Sequence, residues 1–308
     1  VAPVTTISSA PAASNLVAGA SFTFAANETG AVLECKLDAG AFTTCVSPVS
    51  YATMANGAHT FSGRARDTAG NIETSPPVHS WSQEAYDTIA LYHFDTVPGV
   101  MVDSSLYTGA NHNDLTDVGT TAASSAKFGQ ARSVASSSSQ YAYKTSTASL
   151  RLPRQKMTLE AFVRLSALPD STGMTIMSRS GASGNYGWEL KLKKSATQNR
   201  YYLYFYASLN GTTLVEARSS SLSLNTTAFH HMAVTWNLGS VRFFHNGASK
   251  GSRTIGTAGS SIIFDSTAEL RVGRSATGAN FNGIIDEARV SQKVRWTGAF
   301  TAPAAAYT

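Results

Sequence analysis

Site chemistry needs side chains of the right type at a spacing that lets them meet, and this sequence offers few such sets. Its 19 acidic residues are scattered, and the best pair is Asp286 with Glu287. Paired carboxylates cleave glycosidic bonds with retention when they stand about 5–5.5 Å apart, one as nucleophile and one as acid. On a strand such a pair sits at alternate positions, because neighbours point to opposite faces. Asp286 and Glu287 therefore read as scaffold, hydrogen-bonding to neighbouring loops or pairing with an arginine such as Arg289. Serine is abundant, yet no Gly-x-Ser-x-Gly turn sets up a nucleophile. His230 and His231 are adjacent and lack the helical spacing of a zinc motif, and phosphate-binding glycine loops are absent. The expectation is a protein that is not an enzyme.

Aromatic rings with amide and guanidinium groups suit different chemistry, in which a hydroxyl-rich ligand is held by stacking and hydrogen bonds. Two stretches fit. Between Arg179 and Trp188, Gly181, Gly184 and Gly187 make an adaptable loop that carries Asn185 and Tyr186. Trp188 either joins the contact or starts a strand and packs in the core; Tyr186, between glycines, is harder to bury. Over Tyr201–Tyr206, alternation puts Leu203 and Phe205 on one face and Tyr202, Tyr204 and Tyr206 on the other. The tyrosines are expected to form an exposed ladder, either a glycan platform or a protein–protein interface. The competing reading is cross-strand packing on a flat, wet sheet.

These residues need a scaffold, and the composition says which kind. With 308 residues the chain is long enough for two domains. Hydrophobic residues reach 43% and charged ones only 14%, well below the usual quarter. The 14 Phe, 12 Tyr and 4 Trp argue against disorder. The formal charge is +5, but the positive residues read as scattered, with one local cluster at Lys191, Lys193 and Lys194. That leaves no basic stripe of the kind nucleic acid binding needs, although a weak attraction to acidic cell-surface polymers stays open. No apolar run approaches the roughly 20 residues of a membrane span, and Val1–Ser8 lacks the basic start and apolar stretch of a signal peptide. The chain is expected to be a piece of a longer secreted protein.

The two cysteines, Cys35 and Cys45, flank a turn at Asp38-Ala39-Gly40. Facing each other across a hairpin, they suit a disulfide better than a metal site, and a disulfide implies an oxidising compartment. Short alternating runs separated by turn signals, including Asn56-Gly57 and Asp67–Asn71, predict a small β-sandwich in the first part. Asp67–Asn71 reads as a tight turn rather than a cation loop. After a joint over 83–86, nine or more strand-like runs and no amphipathic helix predict two larger stacked sheets.

Several of these segments occur in a recognisable order. Phe22–Phe24, Glu34–Asp38, Phe42, Cys45, Gly57–Phe61 and Arg64–Asn71 resemble a repeated bacterial Ig-like domain, over roughly residues 4–83. From residue 87 on, Leu91–Asp95, Asp103–Ser105, Lys127–Ala131, Met157–Val163, His230–Trp236, Asn246-Gly247, Leu270–Gly273 and Phe281–Val290 resemble the laminin G-like, concanavalin A-like lectin/glucanase superfamily. The resemblance implies an all-β chain: an Ig-like sandwich over 1–83, including a linker, and a jelly roll of two antiparallel sheets over 84–308.

Function follows by the same route. The glucanases of this superfamily carry a Glu-x-Asp-x-Glu run on one strand, and this sequence has none. The resemblance implies an adhesin of the secreted or bacterial surface kind, whose second domain recognises a glycan or cell-surface ligand. Many such domains hold Ca²⁺, for which Asp95, Asp103 and Asp286 are the candidate ligands. The same analogy makes this domain the tip of a bacterial surface fibre, and fibres of this sort are often homotrimeric. One rival is a structural module that assembles through the tyrosine face without binding sugar; another is the non-catalytic arm of a secreted carbohydrate-active enzyme. Asn27, Asn210 and Asn225 head N-glycosylation sequons, read as chance matches in a bacterial Thr-rich chain.

Overall fold

The computed structural model describes the chain except residues 16–18, 52–53, 55–56, 84–86, 96–99, 106–112, 152–153, 277 and 308. Asn56 of the expected turn and residues 84–86 of the expected joint lie outside the described residues. Two compact units result, Val1–Asp87 and Thr88–Thr308.

Among its described residues the first unit has eight strands: β1 (Thr5–Ser9), β2 (Ser14–Asn15), β3 (Ala20–Ala26), β4 (Val32–Leu37), β5 (Thr43–Thr44), β6 (Val49–Tyr51), β7 (Gly57–Arg66) and β8 (Val78–Gln83). They form a three-stranded sheet, β1-β3-β6, and a five-stranded sheet, β2-β8-β7-β4-β5. Along β3, inward and outward residues alternate, so Phe22 and Phe24 point inward and meet Phe61 and Trp81 in a small core. Phe22 stacks on Phe61 at 4.0 Å. Gly63 is required there, since a Cβ would sit 2.7 Å from the Phe24 ring. Cys35 and Cys45 are joined as expected, their Cα atoms 6.0 Å apart. Asp67–Asn71 is a turn: Asp67 Oδ1 and Oδ2 accept from Asn71 N and Nδ2 at 2.8 and 2.7 Å, and Gly70 takes a φ of 89°.

The second unit contains β9 (Thr88–Tyr92), β10 (Val100–Met101), β11 (Leu115–Val118), β12 (Thr121–Ala122), β13 (Arg132–Val134), β14 (Tyr141–Lys144), β15 (Lys156–Leu165) and β16 (Met174–Arg179). It continues with β17 (Trp188–Lys194), β18 (Tyr201–Ala207), β19 (Val215–Arg218), β20 (His230–Asn237), β21 (Ser240–His245), β22 (Ala248–Thr254), β23 (Leu270–Val272) and β24 (Gly283–Ser291). One sheet runs β10-β11-β14-β23-β16-β17-β18-β19, and will be called the tyrosine sheet. The other runs β12-β13-β24-β15-β20-β21-β22, with β9 also paired to β24, and will be called the tail sheet. Every one of these pairings is antiparallel, as expected of a jelly roll.

Inner-face residues of both sheets share one core, in which Leu159, Val163 and Phe243 meet Ile176, Leu190 and Leu203. Phe205 and Trp236 meet across it at 6.2 Å. Burying an aliphatic or aromatic side chain of this size is worth about 1.5–3 kcal/mol. The shared core is therefore what fixes the two sheets against each other and sets where their loops emerge.

Candidate functional site

The loop between β16 and β17 is braced rather than adaptable. Gly181 N donates to Asn185 O at 3.0 Å, and both Gly184 N and Tyr186 N donate to Gly211 O. Ser208 N donates to Gly187 O at 2.8 Å. Loop 264–268 closes the set, with Ser266 Oγ bonded to Asn185 O at 2.8 Å and Thr267 N to Asn185 Oδ1 at 2.8 Å. Gly187 cannot carry a side chain, because its Cβ would meet Arg179 O at 2.2 Å.

This bracing redistributes the expected contact residues. Trp188 is buried in the core as the first residue of β17, which removes it as a ligand contact. Arg179 is 2% exposed, and its guanidinium donates to Ser266 O and to Ser146 Oγ. Burial pulls it down to about 10, Asp265 pushing back while Arg151 and Arg154 add to the fall. Asn185 is spent on loop 264–268. Tyr186 remains: half-buried, held by its backbone, and next to the exposed Ala182–Gly184 tip.

The tyrosine ladder also differs from expectation. Its facing is as predicted, Leu203 and Phe205 entering the core and the tyrosines pointing away. Its exposure is not: Tyr202 and Tyr204 are 7% and 5% exposed, and Tyr206 is intermediate. Neighbouring strands supply the cover. Lys193 lies over the Tyr204 ring at 5.1 Å and Arg218 over Tyr202 at 4.8 Å, distances at which cation and ring attract. Tyr206 donates to Glu216 at 2.8 Å and accepts from Lys193 Nζ at 3.2 Å. Burial, then the Glu216 carboxylate, push its hydroxyl far above the usual value. Ring faces already occupied by cations offer little for a sugar to stack on.

The carboxylates expected to hold calcium do not converge. Asp103 accepts from Leu91 N and Ser105 N through Oδ1 and from Asn113 N through Oδ2. Asp95 and Asp286 meet instead at the 127–130 loop, where Asp95 takes Gln130 N and Asp286 takes Lys127 N and Phe128 N. Among the described residues no three His, Cys, Asp or Glu side chains are grouped to hold a metal. Asp103 is engaged by the backbone donors of Leu91, Ser105 and Asn113, and Asp95 and Asp286 by those of the 127–130 loop, so the three aspartates do not fit a shared calcium.

Asp286 and Glu287 break the alternation assumed for them. A bulge separates Glu160 from Phe162 in the pairing of β15 with β24, and Glu287 takes a φ of 50°. Both carboxylates consequently meet outer loops, Glu287 accepting from Tyr307 N at 2.7 Å and bonding His93. Burial, with the neighbouring Glu287 charge, raises Asp286 to about 6 against its backbone hydrogen bonds. Arg289 pairs with Glu160, not with either of them, at 2.8 Å. His231, fully buried, shares Glu160 at 3.3 Å and Tyr307 Oη at 2.8 Å. Burial pushes the Glu160 carboxyl up, but the His231 hydrogen bond and the Arg289 charge more than reverse this.

One basic cluster escaped the sequence reading. Arg151, Arg154, Gln155 and Lys156 line a groove of about 410 Å³ with Ile262 and Gln292. The visible signal is Arg151-x-x-Arg154-x-Lys156, three cations in six residues, more widely spaced than the lysines of β17.

The family described as "Concanavalin A-like lectin/glucanases superfamily" matches residues 137–297. No curated protein matches the chain in sequence. Among solved structures, Domain 4 of the GH43 extracellular arabinanase from Geobacillus stearothermophilus, in complex with arabinotriose, is similar at 16% identity and a TM-score of 0.45. It covers 70% of this chain and 95% of its own. The binding domain of botulinum neurotoxin serotype D/C is similar at 13% identity and a TM-score of 0.46, over 67% of this chain and 49% of its own. A heptameric SAP-like pentraxin from Limulus polyphemus is similar at 13% identity and a TM-score of 0.35, over 49% of this chain and 68% of its own.

Proposed function

The chain belongs to the concanavalin A-like lectin/glucanases superfamily, and from that premise we propose that its second unit is a carbohydrate-binding module of a secreted or surface-attached bacterial protein. The site is the rim built by loops 181–187, 208–213 and 264–268, and Tyr186 is its stacking residue. One observation carries this reading: the rim is pinned by backbone and side-chain hydrogen bonds, yet leaves a half-exposed tyrosine unspent. A tyrosine whose backbone is fixed before binding has less freedom to lose when a sugar stacks on it.

Binding without catalysis is part of the proposal. The carboxylates best placed for chemistry are engaged by backbone donors or buried beneath other residues. Such groups serve the fold, since a buried charge is tolerated when it is paired and hydrogen-bonded. The Cys35–Cys45 disulfide supports placement outside the reducing cytosol. Among the described residues no helix is long and apolar enough to cross a membrane. Assembly through the tyrosine ladder has less support, because Tyr202 and Tyr204 present little free surface.

A glycan array probed with the full chain, with and without chelator, tests the reading. The expected result is selective binding that falls about tenfold or more with Tyr186→Ala and much less with Tyr186→Phe. A folded protein that binds no glycan, or one indifferent to Tyr186→Ala, overturns it. Loss of binding on chelation would instead return calcium, through ligands other than these three aspartates.

A further inference from the structure

Next to the Tyr186 rim lies the groove of Arg151, Arg154, Gln155, Lys156, Ile262 and Gln292. The two are linked through three consecutive residues. Asp265 pairs with Arg151 and lies 3.9 Å from Arg154, while Ser266 and Thr267 hold Asn185 of the rim.

The groove is built, not assembled from drifting surface chains. Arg154 O accepts from Trp236 Nε1 and from Ile263 N, and Gln155 O accepts from Leu238 N. Arg154 Nε in turn donates to Ile263 O at 2.8 Å. These bonds tie Arg154 and Gln155 to strand β20, its following turn and the loop carrying Ile262, so Arg154 and the adjoining Lys156 are presented from a fixed backbone.

Its charge is unbalanced. Asp265 is the one acid paired with Arg151 and Arg154 among the described residues, and it also acts on buried Arg179. Lys156 adds a further exposed cation to the wall. Three arginines share one carboxylate, and the lysine adds to the excess. Clefts lined by one sign of charge concentrate counter-ions, and arginine recognises carboxylate and sulfate oxygens with paired N–H donors. Ile262, 38% exposed, and the two carboxamides complete a wall suited to a sugar ring with hydroxyls.

We propose that this groove is an anion-binding subsite, so that the glycan recognised at the Tyr186 rim is acidic, carrying a carboxylated or sulfated sugar unit at Arg151, Arg154 and Lys156. The proposal rests on the rim being a glycan site and adds the class of glycan. It also gives the overall charge of +5 a local address.

Binding of the full chain to immobilised polygalacturonate, heparin and dextran tests it, the first two separating carboxylate from sulfate and the third being neutral. At least one acidic polymer is expected to bind about tenfold more tightly than dextran, with that margin shrinking as salt rises from ~0.05 to ~0.5 M. Arg154→Gln with Lys156→Glu is expected to remove the margin, while Lys194→Glu, an equal or smaller change of charge elsewhere, leaves it. Because Arg154 also bonds Ile263 O, Lys156→Glu alone provides a variant whose fold is not at stake, with a loss of about threefold or more. Equal binding of all three polymers, or equal loss with Lys194→Glu, overturns the subsite. Tyr186-dependent binding of neutral glycans without acidic preference overturns only the subsite; binding of no glycan of any kind overturns the rim reading with it.

Discussion

One outer face of the jelly roll lies beneath the chain's own C-terminal segment, and the other is covered by its own long side chains. On the tail sheet, Trp296 stacks on Phe300 at 3.8 Å, Phe300 packs on Phe244, and Tyr307 joins Leu91 and Phe162 in a small satellite core. Beneath them Glu160 gathers Arg289, His231 and Trp296 Nε1. On the tyrosine sheet, lysine and arginine stems from β17 and β19 lie over the rings of β18. The lesson concerns solvent. A carboxylate sealed from water must be matched by partners or it destabilises the fold, whereas half-wet cation–ring contacts can be lost at small cost.

The sharpest way to test this contrast is to remove the sealed charge. Glu160→Gln leaves the Arg289 guanidinium buried without its anion and should cost about 3–5 kcal/mol of unfolding free energy in urea titration. A loss below about 1 kcal/mol would mean that water reaches the site and the two faces are alike. Next in size is the cover itself. Tyr307→Ala removes a buried ring and a hydrogen bond to His231, and should cost about 3 kcal/mol, with Tyr307→Phe recovering most of the packing part.

Acid should act on the sealed face first. Glu160 is held below the ordinary carboxylate value of 4.5, so its contribution is complete above that pH and is lost as pH falls through the lower folded value. His245, beside His230 at 3.0 Å, is pulled by burial and the nearby cations from 6.5 to about 4. A depressed histidine likewise contributes stability above pH 6.5 that disappears as pH drops toward 4. Asp286 works oppositely, its share being lost as pH rises through about 6. Between pH 6.5 and 4 the loss at His245 and the gain at Asp286 oppose each other, so thermal melts should change little there, and His245→Gln should tilt the profile toward greater stability at the acid end. The smallest effect is expected on the open face, where Lys193→Met should cost about 0.5–1 kcal/mol and leave glycan binding unchanged.

Much of the architecture was legible because it rests on local patterns. Alternation at Phe22 and Phe24, or at Leu203 and Phe205, tells which face a residue takes. It cannot tell what lies on the far face, and there the reading of the tyrosines failed: Lys193 and Arg218 come from other strands and arrive by pairing register. Arg179 was misplaced, and Trp188 left undecided between core and contact, for a related reason, since a glycine-rich loop looks free until its partner loops are known. The Asp286–Glu287 alternation was lost to a single bulge, and the Arg151–Lys156 cluster was overlooked because its meaning depends on the groove around it.

Strand β24 pairs with β15 along one edge and with β13 and β9 along the other, although the ribosome makes it after every other strand of the sheet. Until residue 291 has been added, β9 and β13 have no neighbour to dock against β15, and a nascent chain would carry two half-sheets with open edges. Folding of this unit is therefore expected to be a late, nearly all-at-once event rather than a gradual accretion from the N-terminus, a sequence of events compatible with export of the polypeptide while still unfolded.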